Sequence, residues 1–184
     1  MGIERARVVE VHAPGAPTGA GYLLSDRLVL TAARPGTAEV RPGSTGRWLA
    51  ASVAWSGAGA AVLEVGEPLF LSPGAVRWGR VEGAQPVPVT AMGFPPAADR
   101  PRWVREPVQL VGRLSPGGVL SGATVGGGMS GAALFAGAEL VGVLAAGAAV
   151  PVARLAEDEA FVGVVGGLTL TPVSAPASGF SILG

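Results

Sequence analysis

The sequence predicts an all-β sandwich or barrel, on two observations. Apolar and β-branched runs of strand length recur between Gly- and Pro-rich punctuation, and only one stretch carries helical spacing. The runs are Arg7 to His12, Gly21 to Leu24, Arg27 to Ala32, Trp48 to Trp55, Ala60 to Val65, Val87 to Met92, Val108 to Leu114, Ala132 to Phe135 and Leu140 to Ala145. The helical exception is Pro151 to Phe161, where Val152, Leu155 and Glu159 stand at near-helical spacing, so a short helix is expected near the C-terminus. Glu67 to Gln85 has few packed apolar runs and reads as the connection between two halves, with the boundary near Val76 to Gly83.

Composition supports a folded chain. Thirty glycines and sixteen prolines among 184 residues would by themselves suggest low complexity. A hydrophobic share of 49% against 14% charged residues argues the opposite, because such a chain has ample apolar surface to bury. The Gly and Pro therefore mark turns, and the turn-rich segment Pro14 to Gly21 separates two strands as a hairpin loop would.

Several functions are excluded early. Thirteen basic residues balance thirteen acidic ones, so no global field attracts nucleic acid or a membrane surface. The chain has no cysteine and one histidine, His12, which removes disulfides, thiol catalysis, thiolate metal sites and HExxH zinc sites. All thirteen basic residues are arginine, so the lysine of a phosphate loop cannot exist. No metal or cofactor is expected. MGIERARVVEVHAPG lacks a basic segment followed by a long apolar one, and no long apolar run follows; a cytoplasmic location is expected.

One segment carries chemistry. Gly126 to Leu134 reads GGGMSGAAL, a glycine-rich bend around the isolated Ser130. Such a bend lets successive backbone N–H groups converge on one point, as in an oxyanion hole; its bland counterpart is a glycine-rich hairpin with a solvated serine. A nucleophile elbow of the α/β-hydrolase kind is ruled out, since no histidine lies downstream.

Two further segments, TGAGYLLSDRLVLTAAR (Thr18 to Arg34) and SGAGAAVLEV (Ser56 to Val65), precede GMSGAALFAGAELVGVLAAG. In order and spacing the three resemble the catalytic segments of the trypsin-like (chymotrypsin-fold) serine proteases: G-x-G-[FY]-L…LVLTAAH, D-x-A-[LV]-L and G-[DN]-S-G-G-[PA]-L. The resemblance spans roughly Val8 to Gly147. It is similar to the compact cysteine-free trypsin-like domains of actinobacterial multidomain proteins, in which steps like Trp78-Gly79-Arg80 and Gly93-Phe94-Pro95 recur. It implies two packed antiparallel six-stranded β-barrels, over residues 1–76 and 84–170, a linker at 77–83 and a tail or linker stub at 171–184.

The resemblance also implies a damaged catalytic site. Arg34 stands where the family has its histidine, and Gly59 where it has its aspartate; Ser130 alone matches the triad. Gly128, Met129 and Ser130 take the oxyanion-hole positions, and Thr124 falls in the region of the specificity pocket. A serine hydroxyl attacks a carbonyl only when a neighbouring base takes its proton. Arginine keeps its charge in proteins and has five donors and no acceptor, so it cannot be that base. His12 lies outside the family motif and reads as a strand-end imidazole, and Glu64 should point to solvent by strand alternation.

The expectation is a pseudoprotease that binds a peptide or protein partner, such as a fused domain, within a larger protein. Two alternatives stay open: a serine endopeptidase whose base is unorthodox or supplied in a complex, and a structural spacer. Arg34 beside the Ser130 turn could hold a carboxylate; alternatively it turns to solvent or pairs with a nearby Glu.

Overall fold

The computed structural model describes residues 2–33, 36–43, 46–69, 74–95 and 106–176. Six strands form the first unit: β1 (Val8–His12), β2 (Gly19–Leu23), β3 (Leu28–Ala32), β4 (Ala38–Pro42), β5 (Leu49–Gly57) and β6 (Ala60–Val65). They close into an antiparallel barrel in the order β1-β2-β3-β6-β5-β4. A short 3-10 turn, Arg5–Arg7, leads into it.

The second unit contains β7 (Trp78–Val81), β8 (Val87–Gly93), β9 (Val108–Leu114), β10 (Leu120–Ser121), β11 (Ala133–Ala136), β12 (Glu139–Ala145), β13 (Ala148–Pro151) and β14 (Leu170–Val173). These make an eight-stranded sheet in the order β10-β9-β8-β11-β12-β7-β14, with β13 on β12. That is two strands more than the six expected, and the pairings of β7 with β12 and with β14 are parallel. The additions come from segments expected to be linker and tail: β7 lies within 77–83, and β14 runs from Leu170 into 171–184. Both runs are four residues long and broken by Gly79 or Pro172, so neither carried a readable alternation. The C-terminal helix is present as two pieces, α1 (Val152–Leu155) and α2 (Glu159–Val164). None of the described helices is long and apolar enough to cross a membrane.

Strand alternation explains where the core sits. Val9, Val11, Leu23, Val29, Val40, Leu63 and Val65 fill the interior of the first barrel. Their neighbours Val8, Tyr22 and Leu30 point the other way, into a second core shared with Leu134, Phe135, Leu140 and Leu144 of the sheet. β1 is therefore buried on both faces, and Glu10, 0% exposed on its outward face, must be charge-paired. Arg41 meets it, with Nε donating to the Glu10 carboxylate at 2.6 Å.

Two contacts tie distant parts of the chain together. Arg7 is 1% exposed; its Nε donates to Glu4, its Nη1 to the Leu23 carbonyl, and its Nη2 to the carbonyl of Gly74. Asp158 caps α2 by accepting from the N–H groups of Ala160 (2.9 Å) and Phe161 (3.4 Å), and also accepts from Trp55 Nε1 at 3.0 Å. Phe161 is wedged between Trp55 and Trp78, with ring centroids 4.9 and 5.9 Å away. The indole hydrogen bond, and after it the Ala160 and Phe161 amides, hold the Asp158 carboxyl below its ordinary pKa.

A carboxylate whose pKa is depressed by folding contributes stability above its unfolded pKa and loses it as pH falls through the folded one. Asp158→Ala is thus expected to lower the melting temperature at neutral pH, the gap narrowing in strong acid. Thermal melts across that range check this, and a gap independent of pH would contradict it.

Candidate functional site

The Ser130 bend is anchored to both units. From the sheet side, the N–H of Phe94 donates to the Gly128 carbonyl at 3.0 Å, and the Gly131 N–H donates to the Leu144 carbonyl at 2.7 Å. From the barrel side, the Ala20 N–H donates to the Ser130 carbonyl at 2.8 Å. Thr31 Oγ1 donates to the Ala20 carbonyl at 2.7 Å, which fixes the strand that receives the bend.

Glycine is required at two points of this bend. Gly128 has φ +84°, and a Cβ there would lie 2.0 Å from the Phe94 carbonyl oxygen. Gly131 has φ +91°, and its Cβ would lie 2.0 Å from the Ala20 carbonyl oxygen and 2.3 Å from Thr31 Oγ1. Between them Met129 is buried, its sulfur packed so closely on Gly93 that no Cβ would fit there. Ser130 is half-buried.

The backbone donors of the bend divide in two. The Met129 N–H is occupied by the Gly126 carbonyl at 3.3 Å, and the Ala132 N–H by the Met129 carbonyl at 3.0 Å. The N–H groups of Gly128 and Ser130 donate to no acceptor among the described residues. The amides of Gly128 and of Ser130 itself are thus unspent among the described residues, and backbone donors of this kind can stabilise a developing oxyanion or a bound carboxylate.

Gly59 lies at the tip of the β5–β6 hairpin. The last paired residues are Gly57 and Ala60, so the loop is only Ala58-Gly59, with φ +51° and +88°. These are the two positive φ values of a type I′ turn, which the strand twist favours and which glycine occupies without penalty. The Gly59 carbonyl accepts from the Ala33 N–H at 2.9 Å, so the residue preceding Arg34 is held against the turn. A Cβ on Gly59 would face Val150 at 3.5 Å and Ala145 at 3.9 Å. The chain therefore brings Ala33, Gly59 and the β12–β13 strands together. Arg34 lies outside the described residues.

The remaining candidates are placed as follows. Thr124 is exposed on the loop between β10 and Gly126. His12 ends β1 half-buried, with Nδ1 3.5 Å from Thr18 Oγ1 and its ring tilted against Trp48 at 5.9 Å. The Arg41 guanidinium covers the same indole at 4.6 Å. No hydrogen bond joins His12 to Ser130 among the described residues. Glu64 is exposed on β6, as strand alternation requires.

Sequence reading missed the partners of the bend, Ala20 and Thr31, and the apolar pair Ala145 and Val150 facing Gly59. Only the turn had a signal. Ser56-Gly57-Ala58-Gly59 stands between two apolar runs, the pattern of a two-residue hairpin loop.

A closed antiparallel barrel, a second sheet packed on it and a serine bend docked between them define the fold of the trypsin-like proteases. The crystal structure of Deg5 is similar, with a TM-score of 0.62 at 16% sequence identity over 90% of this chain and 92% of that one. At that identity the likeness is one of fold. No family model and no curated protein matches the sequence.

Proposed function

We propose that this chain is a catalytically deficient trypsin-like domain that binds a peptide or protein partner, as a regulatory module of a larger protein. The observation that carries the reading is the backbone at position 59. Where the resemblance places the triad's aspartate, the chain makes a two-residue turn with φ +88° at Gly59, directed at Ala145 and Val150. No carboxylate is there to orient a base, and Arg34, at the histidine's position, has no acceptor with which to take the Ser130 proton.

What remains of the site suits binding. The Gly128 and Ser130 amides, unspent among the described residues, favour an anion, and an arginine where the resemblance puts the family's histidine would add a fixed positive charge. The ligand on this reading is a carboxylate, such as a peptide C-terminus or an acidic side chain of the partner.

Calorimetric titration of peptides bearing free or amidated C-termini tests it. The free acid is expected to bind at least about ten-fold more tightly, and Arg34→Ala to cut that preference several-fold, since a charge-assisted hydrogen bond contributes roughly 1.5–3 kcal/mol. Equal affinity for both peptides, or no effect of Arg34→Ala, would overturn the carboxylate reading.

A further inference from the structure

A cavity of about 420 Å³ opens where the N-terminal segment, β2, the segment leading into β7, and β11 with the turn after it meet. None of its lining residues belongs to the Ser130 bend. Ile3, Val76 and Phe135 supply apolar walls, and Tyr22 closes it from the barrel side.

Tyr22 is the chain's single tyrosine, and it is 4% exposed. Its ring packs against Phe135 with centroids 5.0 Å apart, so the phenol is fixed in place. Its oxygen accepts from the backbone N–H of Glu4 at 3.3 Å. Its own O–H donates to no acceptor among the described residues. A buried donor without a partner costs stability unless something fills the position, so this one marks a place for an acceptor. Burial raises the Tyr22 pKa, and the phenol stays protonated, a donor, at neutral pH.

The charges on the wall narrow the ligand further. Arg7 and Arg77 line the cavity, and each is paired with a carboxylate, Glu4 and Glu139 in turn, so what they offer a ligand is the N–H donors those pairs leave over. Arg7 is occupied by Glu4 and by the Leu23 and Gly74 carbonyls. Arg77 makes one ion pair, Nη2 to Glu139 at 2.6 Å, and its side chain is 65% exposed. With five N–H donors on a guanidinium, it keeps donors for a second oxygen.

We propose that this cavity binds a small amphiphilic carboxylate. The head accepts the Tyr22 hydroxyl hydrogen within reach of the Arg77 charge, and the apolar chain lies against Ile3, Val76 and Phe135. A volume of this size is in the range of small-molecule pockets, with mostly apolar lining and few convergent polar groups.

Because Tyr22 stands alone, protein labelled with ¹³C-tyrosine reports on the cavity with a single set of ring resonances. Titration with octanoate is expected to shift them saturably, while octylammonium, with the same chain and the opposite charge, leaves them unmoved. Tyr22→Phe keeps the ring and removes the donor, so octanoate affinity measured by calorimetry should fall at least about ten-fold. Ala138→Trp, on the half-buried turn at the rim, should block binding without touching the donor. A non-saturating octanoate response, comparable binding of octylammonium, or unchanged affinity in Tyr22→Phe would each overturn the proposal.

Discussion

Replacing Gly131 by alanine is expected to destabilise the domain by about 3 kcal/mol or more, lowering Tm by roughly 6–12 °C. Two effects add. The backbone at φ +91° is one that side-chain-bearing residues adopt only with strain. The new methyl would also overlap the Ala20 carbonyl oxygen and Thr31 Oγ1, at 2.0 and 2.3 Å, and neither is the end of a flexible chain. The bend would have to withdraw from the barrel, breaking the Ala20 to Ser130 and Gly131 to Leu144 hydrogen bonds that seat it. Gly127→Ala, three residues before the serine, is the control. A Cβ there meets nothing within 4 Å, and stability should change by no more than about 0.5 kcal/mol. Paired thermal melts decide the matter, and equal Tm shifts for the two variants would show that the bend is not docked as described.

Placing histidine and aspartate where the resemblance puts the triad's, Arg34→His together with Gly59→Asp, is expected to leave casein cleavage at the level of a Ser130→Ala control. The new aspartate would take a backbone conformation at φ +88°, in a turn with only Ala58 beside it. Its Cβ would lie against Val150 and Ala145, two apolar side chains with no donor to hold a carboxylate. An imidazole without an oriented acid keeps the wrong tautomer, and losing that one function costs about 10⁴-fold in related enzymes. The barrier to reversion is thus the length of the β5–β6 turn rather than the identity of two side chains. Cleavage by the double variant above the control would place the barrier elsewhere.

Much of this architecture was legible from the residues because the first barrel is built from alternation. Val9 and Val11 against Val8 and Glu10, or Ala61 and Leu63 against Glu64, sort themselves by the period of a strand. β4, β7, β10, β13 and β14 escaped because they lie among Gly and Pro without a clear apolar run of their own. Their identity as strands comes from neighbours far away in sequence, as with Trp78, set beside Leu140 on one side and Leu170 on the other. The Ser130 bend announced itself by its glycines, yet what those glycines are for could not be read locally. Gly131 is required by Ala20 and Thr31, some hundred residues earlier, and Gly128 by Phe94. Gly59 shows the opposite case: the resemblance sets it where the family has an acid, while the hairpin closed in two residues around it is visible only from the pairing of Gly57 with Ala60.

On the proposed reading, Ser130 has no base to activate it. Incubation of the purified chain with a fluorophosphonate probe, followed by intact-mass measurement beside Ser130→Ala, tests this most directly, because the probe adds covalently to an activated serine and requires no choice of substrate. The unmodified mass is the expected result in both proteins. Stoichiometric labelling of the wild type alone would show an activated nucleophile and contradict that reading.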